Sequence, residues 1–421
     1  MEPILLTRDA GAGPEGLEAY RADGGYAALT RARASGAQSV LDAVAAAGLR
    51  GRGGAGFPVG RKWALAASAP DTPRYVVANG GEDEPGSAKD QLLLERYPHK
   101  VIEGVALAAC AVGAEEAVFY VNALFDRAIA QLEEAIAEAS AAGLFGGQAG
   151  GSGPALRLRV HAGPPEYVAG EDTAALEVIE GRKALPREKP PFPTSAGLHG
   201  KPTVVNNVET FACVPAIVRN GPEWFRGIGA PDNPGTMLFT LPANLRRPGV
   251  VELPTGTTLR TLLDEHGGGL ASGKRVRAVL PGGPSSGWLG ADDLDVPLDR
   301  EPLAAKGSAL GCGVLRVLEE DECVVEALDD IAGFFMRESC GQCPACVMGT
   351  QTLAKIVTQV RSGQATQQLV DQIPRLAAYT QGKGLCSLIS MPFPSLTSAI
   401  RLFPGDIAHH IAHGACPDAA S

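Results

Sequence analysis

The chain has 421 residues and a formal net charge of −10. That length predicts two to four domains. The acidic balance argues against nucleic acid as the main partner, because neutralising phosphates needs a surplus of Lys and Arg. No run of eighteen apolar residues occurs and the first residues lack a signal-peptide pattern, so no direct membrane insertion is predicted. We expect a cytoplasmic protein, which a larger complex could hold at the cytoplasmic face of a membrane.

The first 230 residues alternate between two kinds of hydrophobic periodicity. Short β-branched or alternating runs predict strands at 74–78, 118–121 and 156–160. Apolar residues at helical spacing predict helices at 36–49, 98–112 and 124–139. The order of strands and helices predicts an α/β domain over residues 1–230.

The rest of the chain changes character twice. Residues 231–318 contain short strand-like runs at 237–241, 250–253 and 276–280 around one helical stretch at 259–265, which predicts a small separate domain. From residue 319 onward few β-rich runs occur, so residues 319–421 are predicted to form a small helical bundle.

Four of the nine cysteines form a pattern. Cys340, Cys343 and Cys346 lie in one CxxCxxC run, and Cys386 follows forty residues later. A [4Fe–4S] cubane needs one thiolate at each iron corner, and one tight loop can reach three adjacent corners. The alternative is zinc, which prefers two separated CxxC pairs or a mixture of Cys and His. The spacing favours a single [4Fe–4S] cluster held by these four residues.

The other candidate metal ligands are predicted to be structural. Near the end of the chain, His409, His410 and His413 are predicted to be surface residues of a helix. The remaining cysteines are predicted to be buried small apolar residues that supply no second set of four. They are Cys110, Cys213, Cys312, Cys323 and Cys416.

A glycine-rich loop over residues 48–63 contains a literal GxGxxG at 51–56. A predicted helix precedes it, and not a strand, so it is not the standard dinucleotide fingerprint. Clustered glycines can still let backbone N–H groups approach phosphates. Arg50, Arg52, Arg61 and Lys62 would add positive charge. The alternative is a flexible loop with a solvated basic face.

Six ordered motifs, taken together, resemble one family. They are GLRGRGGAGFPVGRKW (48–63), NGGEDEPGSAKDQLLLERYPHKVIEG (79–104), GEDTAALEVIEG (170–181), KPPFP (189–193), GKPTVVNNVET (200–210) and ESCGQCPAC (338–346). Over about residues 40–415 the chain resembles the NADH-binding flavoprotein subunit of respiratory complex I. The same module occurs in soluble NAD-dependent formate dehydrogenases and hydrogenases.

The resemblance implies a multidomain α/β protein. A Rossmann-like domain would hold FMN and NADH, residues 231–318 would form a ubiquitin-like β-grasp domain, and the helical bundle would carry the cluster. The chain would be an electron-entry subunit that oxidises NADH through FMN and passes single electrons to the [4Fe–4S] cluster. The same path could run in reverse toward NAD⁺.

The resemblance also implies the binding residues, with no acid–base catalytic residue because the protein orients the nicotinamide against the flavin. FMN contacts carry over to Gly51, Gly53, Lys62, Asn79, Glu82, Gly170, Glu171, Asn206, Asn207 and Thr210. NADH contacts carry over to Phe57, Glu84, Asp172, Lys189 and Phe192.

The chemistry of several of these residues agrees with such roles. The amides of Asn206 and Asn207 can donate to flavin carbonyl or ribityl oxygens. A carboxylate at Glu84 suits ribose hydroxyls and disfavours the 2′-phosphate of NADPH. Phe57 and Phe192 offer faces for adenine. The alternatives are a core position for Phe192 and a solvated acidic loop around Glu84.

The chain departs from the family pattern at the flavin and nucleotide site. Gly81 replaces an Asp that usually faces the flavin, and Leu65 replaces an aromatic residue that helps to sandwich adenine. Asp172 stands where Glu is usual and Ala169 where Cys is usual, and residues 347–349 lack the usual Arg-Glu. The chain is therefore a working subunit with a retuned site or, alternatively, a paralogue with a decayed nicotinamide site that serves as relay or structural subunit.

The electron acceptor is expected on another polypeptide, because no ferredoxin-like [2Fe–2S] domain, oxidase site or quinone site is visible. The resemblance implies a thioredoxin-like [2Fe–2S] subunit and a larger Fe–S subunit as partners. A rival hypothesis is a zinc-stapled scaffold without a redox role.

Overall fold

A computed structural model describes residues 3–8, 11–145 and 155–416. The chain divides into two compact units. The first unit comprises residues 1–83, 87–239 and 250–256. The second unit comprises residues 84–86, 240–249 and 257–421.

The first unit is an α/β structure built on a parallel sheet. Its strands are β1 (Arg74–Gly80), β2 (Ala114–Asn122), β3 (Arg157–Gly163) and β4 (Thr203–Asn207). They lie in the order β3–β2–β1–β4, and all neighbours are parallel. Because β2 and β3 extend the sheet to one side of β1 and β4 pairs on its other side, the strand order reverses between β1 and β4. A ligand crevice forms at such a switch point in doubly wound sheets.

Helices cover both faces of this sheet. Alternate residues of β1 point to opposite sides, since Val76 and Ala78 belong to the large core and Val77 packs with Leu176 and Val205 on the other face. The helices are α1 (Leu17–Ala22), α2 (Ala27–Ser35), α3 (Ala37–Ala47), α4 (Val59–Ser68), α5 (Lys89–Arg96), α6 (Pro98–Val112), α7 (Asp126–Ala141), α8 (Asp172–Ile179), α9 (Pro193–Ala196), α10 (Val208–Asn220) and α11 (Pro222–Arg226).

Short strands complete this part of the chain. They are β5 (Gly229–Ala230), β6 (Asn233–Pro234), β7 (Thr236–Leu241) and β8 (Gly249–Pro254), paired β5–β6 and β7–β8.

The predicted strands and helices of the first 230 residues are confirmed, with shifts of a few residues at their ends. One prediction is wrong, because residues 59–63 were expected to be loop and instead begin α4. The apolar side of that helix, centred on the fully buried Trp63, stacks on Phe211 of α10. Tertiary burial of the Trp side chain therefore outweighs the loop tendency of the glycines before it.

The second unit combines a small antiparallel sheet with helices. Its strands are β9 (Val276–Leu280), β10 (Leu289–Gly290) and β11 (Arg316–Glu319), in the order β10–β9–β11. Its helices are α12 (Leu259–Thr261), α13 (Arg300–Ala305), α14 (Val324–Arg337), α15 (Pro344–Arg361), α16 (Gln367–Val370), α17 (Ile373–Thr380), α18 (Phe393–Leu402) and α19 (Pro404–His413).

Sheet and helices of the second unit pack on each other. The backbone N–H of Trp288 donates to Ser398 Oγ at 2.8 Å, and Arg277 of β9 pairs with Asp406 at the start of α19. Among the helices of the described ranges, none combines the length and apolar character that a membrane crossing requires.

Candidate functional site

Asparagines mark the carboxyl ends of β1 and β4, where the strand order reverses. Asn79 of β1 lies opposite Asn207 of β4, and Ala78 lies opposite Asn206. The Asn79 side chain donates from Nδ2 to the Gly170 carbonyl at 2.9 Å and accepts from the Gly81 N–H at 3.1 Å. One side chain thus joins the loop after β1 to the turn before α8.

Glycines let three backbone segments converge at this edge of the sheet. A Cβ at Gly53 would lie 3.0 Å from Asn207 Cβ, and one at Gly170 would lie 2.7 Å from the Gly81 carbonyl oxygen. A Cβ at Gly81 would lie 2.8 Å from a ring carbon of Tyr120. Gly51 is less tightly placed, since its Cβ would lie 3.6 Å from the nearest atom. The absence of side chains leaves backbone amides at the surface of the crevice.

The glycine-rich loop is anchored by its own arginine. The Arg52 N–H donates to Thr210 Oγ1 at 2.9 Å. The buried Arg52 guanidinium donates to Asn233 Oδ1 and the Pro234 carbonyl, both at 2.7 Å. Arg52 therefore holds the loop in place and does not add charge to a phosphate site. Thr210, predicted to contact FMN, is itself fully buried and positions the loop.

A buried ionic cluster fixes Asn207. Lys89 Nζ lies 2.8 Å from Glu209 Oε2, 3.0 Å from Asp90 Oδ1 and 3.1 Å from Asn207 Oδ1. Asn207 Nδ2 in turn donates to Asp90 Oδ2 at 2.6 Å. Because the Lys89 side chain is 1% exposed, its charge must be balanced here by the two carboxylates. The side-chain amide of Asn207 is thus fully engaged within the protein.

Lys62 supplies a cation beside β4. Its Nζ donates to the Val205 carbonyl of β4 at 2.9 Å. Burial lowers the pKa of Lys62 below its ordinary value of 10.5, while the nearby Asp172 carboxylate opposes that shift. The aromatic face of Phe57 lies 6.0 Å from Lys62 Nζ and 5.8 Å from the Arg61 guanidinium carbon.

Lys189 joins two carboxylates at the start of α8. Its Nζ lies 2.5 Å from Glu171 Oε1 and 2.7 Å from Asp172 Oδ1. The other Glu171 oxygen caps α8 by accepting from the N–H groups of Thr173 and Ala174. Burial and the adjacent Asp172 raise the pKa of Glu171. Burial would also raise the pKa of Asp172, but hydrogen bonds from Glu171 and the charge of Lys189 outweigh it and lower that pKa.

The two glutamates after β1 have different surroundings. Glu82, predicted to contact FMN, accepts from the backbone N–H groups of Lys89, Asp90 and Gln91 and so caps α5. Glu84 belongs to the second unit, where a Cβ at Gly283 would lie 2.7 Å from its Oε1. The predicted contact of Glu84 with NADH stays a prediction.

Exposed apolar side chains flank the first turns of two packed helices. Phe57 precedes α4 and is 39% exposed, and Phe192 precedes α9 and is 57% exposed. The two helices that follow these aromatic residues pack against each other. Leu65 of α4 is 48% exposed. Large exposed apolar side chains such as these offer a contact surface for the flat ring of a ligand.

The donor set of the crevice fits FMN. Asn206 Oδ1 accepts from Trp63 Nε1 at 2.9 Å, and within the described residues its Nδ2 has no acceptor. The Lys62 ammonium, the Asn206 amide and the glycine-rich backbone together offer donors and positive charge. A phosphate and the carbonyl oxygens of a flavin require such partners.

The four clustered cysteines lie around the start of α15 in the second unit. Cys343 precedes the helix, Cys346 is in its first turn, and Cys340 is exposed in the loop before it. The N–H of Leu385 donates to Cys343 Sγ at 3.4 Å, which brings the loop carrying Cys386 to the same place. Burial raises the pKa of Cys346, and the Cys343 and Cys340 thiols add to that shift.

The number of these cysteines suits a cluster, since four thiolates supply one ligand for each iron corner of a [4Fe–4S] cubane. A separate group of potential ligand atoms, all within 4.8 Å of one another, lies around His410.

Sequence reasoning missed or misplaced several residues. Lys89 and Asp90 were not singled out, although a Lys-Asp pair inside a long motif was the available signal. His410 was predicted to be on the surface and is buried, at 3% exposure. Of the five cysteines predicted to be buried, Cys213 is buried and the other four are half-buried.

Known families match three segments of the chain. Residues 44–216 match the Nuo51 FMN-binding domain, and residues 326–410 match the NADH-ubiquinone oxidoreductase-F iron-sulfur binding region. Residues 244–288 match the SLBB domain.

Whole-chain relatives agree with these matches. The chain is 41% identical to an NADH-quinone oxidoreductase subunit of Rhizobium meliloti, covering 99% of both chains. It is 42% identical to an NADH-quinone oxidoreductase subunit of Mycobacterium tuberculosis, covering 93% of this chain and 89% of the relative. It is 39% identical to the NADP-reducing hydrogenase subunit HndC of Solidesulfovibrio fructosivorans, covering 98% and 84%.

Among solved structures, a chain of an NAD⁺-reducing [NiFe]-hydrogenase in its H2-reduced state superposes with a TM-score of 0.83 at 34% identity. The match covers 92% of this chain and 65% of that chain, so this protein spans about two thirds of the hydrogenase chain's length.

Proposed function

The chain belongs to the family of NADH-quinone oxidoreductase and hydrogenase subunits that carry the Nuo51 FMN-binding domain and the iron-sulfur binding region, and on that premise we propose how its residues divide the work. The observation that carries the proposal is the crevice between β1 and β4, where Asn79 donates to the Gly170 carbonyl and Lys62 donates to the Val205 carbonyl of β4. The first unit holds FMN and NADH there, and the cysteines of the second unit hold the [4Fe–4S] cluster.

When bound, FMN accepts the hydride of NADH as an electron pair and releases electrons one at a time. The protein orients and tunes this group. Lys62 supplies a positive charge that favours the reduced, more anionic flavin. Asn206 donates to FMN from its Nδ2, which has no acceptor among the described residues. The Lys89 cluster fixes Asn207, which the glycine-rich loop approaches closely at Gly53.

The nucleotide lies on the side of Phe57, Phe192 and the Lys189 pair. The exposed aromatic faces stack with adenine. Lys189, held by Glu171 and Asp172, offers its remaining donor to the pyrophosphate or ribose. The expected preference for NADH over NADPH rests on Glu84, since a carboxylate repels a 2′-phosphate.

Partner subunits receive the electrons at the second unit. Cys340 is exposed, and Met348 in the first turns of α15 and Tyr379 of α17 are 68% and 62% exposed. Exposed apolar groups beside a redox centre suit a docking partner. We assign a thioredoxin-like [2Fe–2S] subunit to that role, followed by a larger Fe–S subunit. We assign residues 231–318 to a ubiquitin-like β-grasp domain and the helices after residue 319, α14 to α19, to the bundle.

A relay paralogue with a decayed nicotinamide site is the second candidate function. Gly81 and Leu65 favour it, because both remove groups that the family usually places at the site. The intact contacts of Asn79, Lys62 and Lys189 favour a working site.

The test is the visible spectrum of the full chain, purified anaerobically with FMN and its cluster, before and after adding NADH. A working electron-entry subunit shows flavin bands and a broad brown shoulder that both bleach with NADH. A brown protein that ignores NADH would establish the relay paralogue, and a colourless protein would contradict both functions and leave the zinc-stapled scaffold.

A further inference from the structure

Three potential metal ligands meet in the second unit, away from the CxxCxxC loop in sequence. The side chains of Cys323, His410 and Cys416 bring their ligand atoms within 4.8 Å of one another. Cys323 Sγ lies 3.2 Å from His410 Nε2. In a tetrahedral zinc site, a thiolate and an imidazole nitrogen are about 3.6 Å apart, given bonds of about 2.3 and 2.0 Å. The spacing therefore fits one ion with little movement of the side chains.

The histidine is oriented as a metal ligand requires. His410 Nδ1 lies 3.3 Å from the carbonyl oxygen of Arg361, at the end of α15. That carbonyl can only accept, so Nδ1 carries the proton and the Nε2 lone pair points toward Cys323. A backbone carbonyl on the far nitrogen is the usual way in which proteins fix the tautomer of a ligating histidine.

The surroundings of Cys323 also suit a metal-bound thiolate. Cys323 is the residue before α14, and its sulfur accepts from the N–H of Glu326 at 3.4 Å. The partial positive charge of a helix N-terminus stabilises a negatively charged sulfur. Burial raises the pKa of the Cys323 thiol to about 11, and a bound metal ion overcomes that shift because it replaces the proton. Cys416 is half-buried, so water can reach the group as a fourth ligand.

We propose that Cys323, His410 and Cys416 bind one Zn²⁺ ion, with water as the fourth ligand, independently of the flavin and the [4Fe–4S] cluster. Zinc binding replaces the protons of the two thiols and changes no oxidation state. The ion connects the residue before α14 to the segment after α19, so it links the two ends of the helical segment that contains the cluster cysteines. Such a cross-link between distant residues opposes local unfolding of that segment.

The test uses the full chain purified anaerobically with FMN and its cluster, with zinc in the growth medium. Mass spectrometry of metals is expected to find about one zinc beside about four irons per chain. X-ray absorption at the zinc edge is expected to show two sulfur and two lighter ligands, with Zn–S distances of about 2.3 Å. These measurements need no substitution and so do not depend on the folding of a variant.

Variants then locate the ion. Cys416→Ser and Cys323→Ser are expected to lose more than nine tenths of the zinc while keeping iron and FMN. Cys110→Ser, which changes a half-buried cysteine of the first unit, is expected to keep all three. Cys386→Ala is expected to lose iron and keep zinc.

Three results would overturn the proposal. The first is a zinc-free protein with full iron content. The second is zinc that disappears in Cys386→Ala but persists in Cys416→Ser, because that zinc would occupy the cluster site. The third is a Cys323–Cys416 disulfide, detected as a mass deficit of two hydrogens after alkylation.

Discussion

Lys62 carries the positive charge of the proposed flavin crevice, and its removal tests that role. Its Nζ contacts the Val205 carbonyl, and an anionic ligand would add a charge-assisted hydrogen bond. Such a bond contributes about 1.5–3 kcal/mol, so Lys62→Met should weaken FMN binding about 10- to 100-fold. Titration of flavin fluorescence measures this directly. Arg61→Gln, an exposed neighbour, is the control, and an equal loss in both variants would contradict a specific role for Lys62.

The pH dependence of FMN binding provides an independent check on Lys62. Burial lowers the pKa of this lysine from 10.5, so the free site loses its charge at a lower pH than an ordinary lysine would. An anion binds the protonated form more tightly, and FMN affinity should therefore fall as the pH rises through this lowered pKa. Lys62→Met should abolish that decline in flavin titrations across the alkaline range. A decline that persists in the variant would assign the titration to another group.

The space beside Gly81 is too small for the Asp side chain that is usual in the family. The ring of Tyr120 occupies the space beside it, and a Cβ at Gly81 would lie 2.8 Å from that ring. Gly81→Asp, which restores the usual residue, should therefore destabilise the protein by about 1–3 kcal/mol through overpacking. Denaturant unfolding measures the loss. Combining it with Tyr120→Leu should recover much of that loss, and strictly additive effects would show that the ring is not the cause.

At the scale of elements, the glycine-rich loop must approach the end of β4 closely. A Cβ at Gly53 would stand 3.0 Å from Asn207, whereas one at Gly51 would meet its nearest atom at 3.6 Å. The Asn207 side chain cannot easily move away from such a Cβ, because hydrogen bonds with Lys89 and Asp90 hold it in place. Gly53→Ala should consequently weaken FMN binding more than Gly51→Ala, at similar melting temperatures. Equal flavin affinities in the two variants would mean that the loop does not form the wall of the site.

The elements themselves could largely be predicted from periodicity. Strands at 74–78 and 118–121 and the helix at 98–112 follow from local patterns, and the asparagines after β1 and β4 meet because parallel strands end at one edge. The Lys89 cluster could not be predicted in this way, since it joins residues from α5 and α10 that only the tertiary fold brings together. For the same reason α4 begins inside a segment that looks like a loop.

At the scale of the whole molecule, sequence and structure are informative about different sites. The CxxCxxC run predicts a cluster because three of the four proposed ligands are close in the chain. Cys323, His410 and Cys416 have no recognisable spacing and converge only after six helices have packed. A histidine near the end of a helix was predicted to be on the surface, but α19 turns His410 toward the end of α15. Local patterns therefore reveal sites whose ligands lie mostly in one loop and miss those built only from distant segments.

The two cofactor sites use different parts of the chain, and this makes them separable. Lys62, Asn79 and Asn206 belong to the first unit, and the four cluster cysteines belong to the second. Cys386→Ala removes one of the four thiolates and should prevent assembly of a stable cluster. Because the residues of the proposed flavin crevice and the cluster cysteines belong to different units, the variant should still bind FMN, and NADH should still bleach its flavin bands.

The Cys386→Ala variant should be defective only in the transfer of electrons from the flavin to the cluster. Electron paramagnetic resonance of the unmodified chain after NADH addition should show a reduced cluster, and Cys386→Ala should lack that signal. Cys110→Ser should keep both the signal and the flavin bleaching. Rapid mixing should then find flavin reduction at an unchanged rate in Cys386→Ala, since hydride transfer precedes the cluster. Loss of flavin bleaching together with iron would instead show that the crevice depends on the cluster for its structure, and the division of the chain into two independently loaded sites would be wrong.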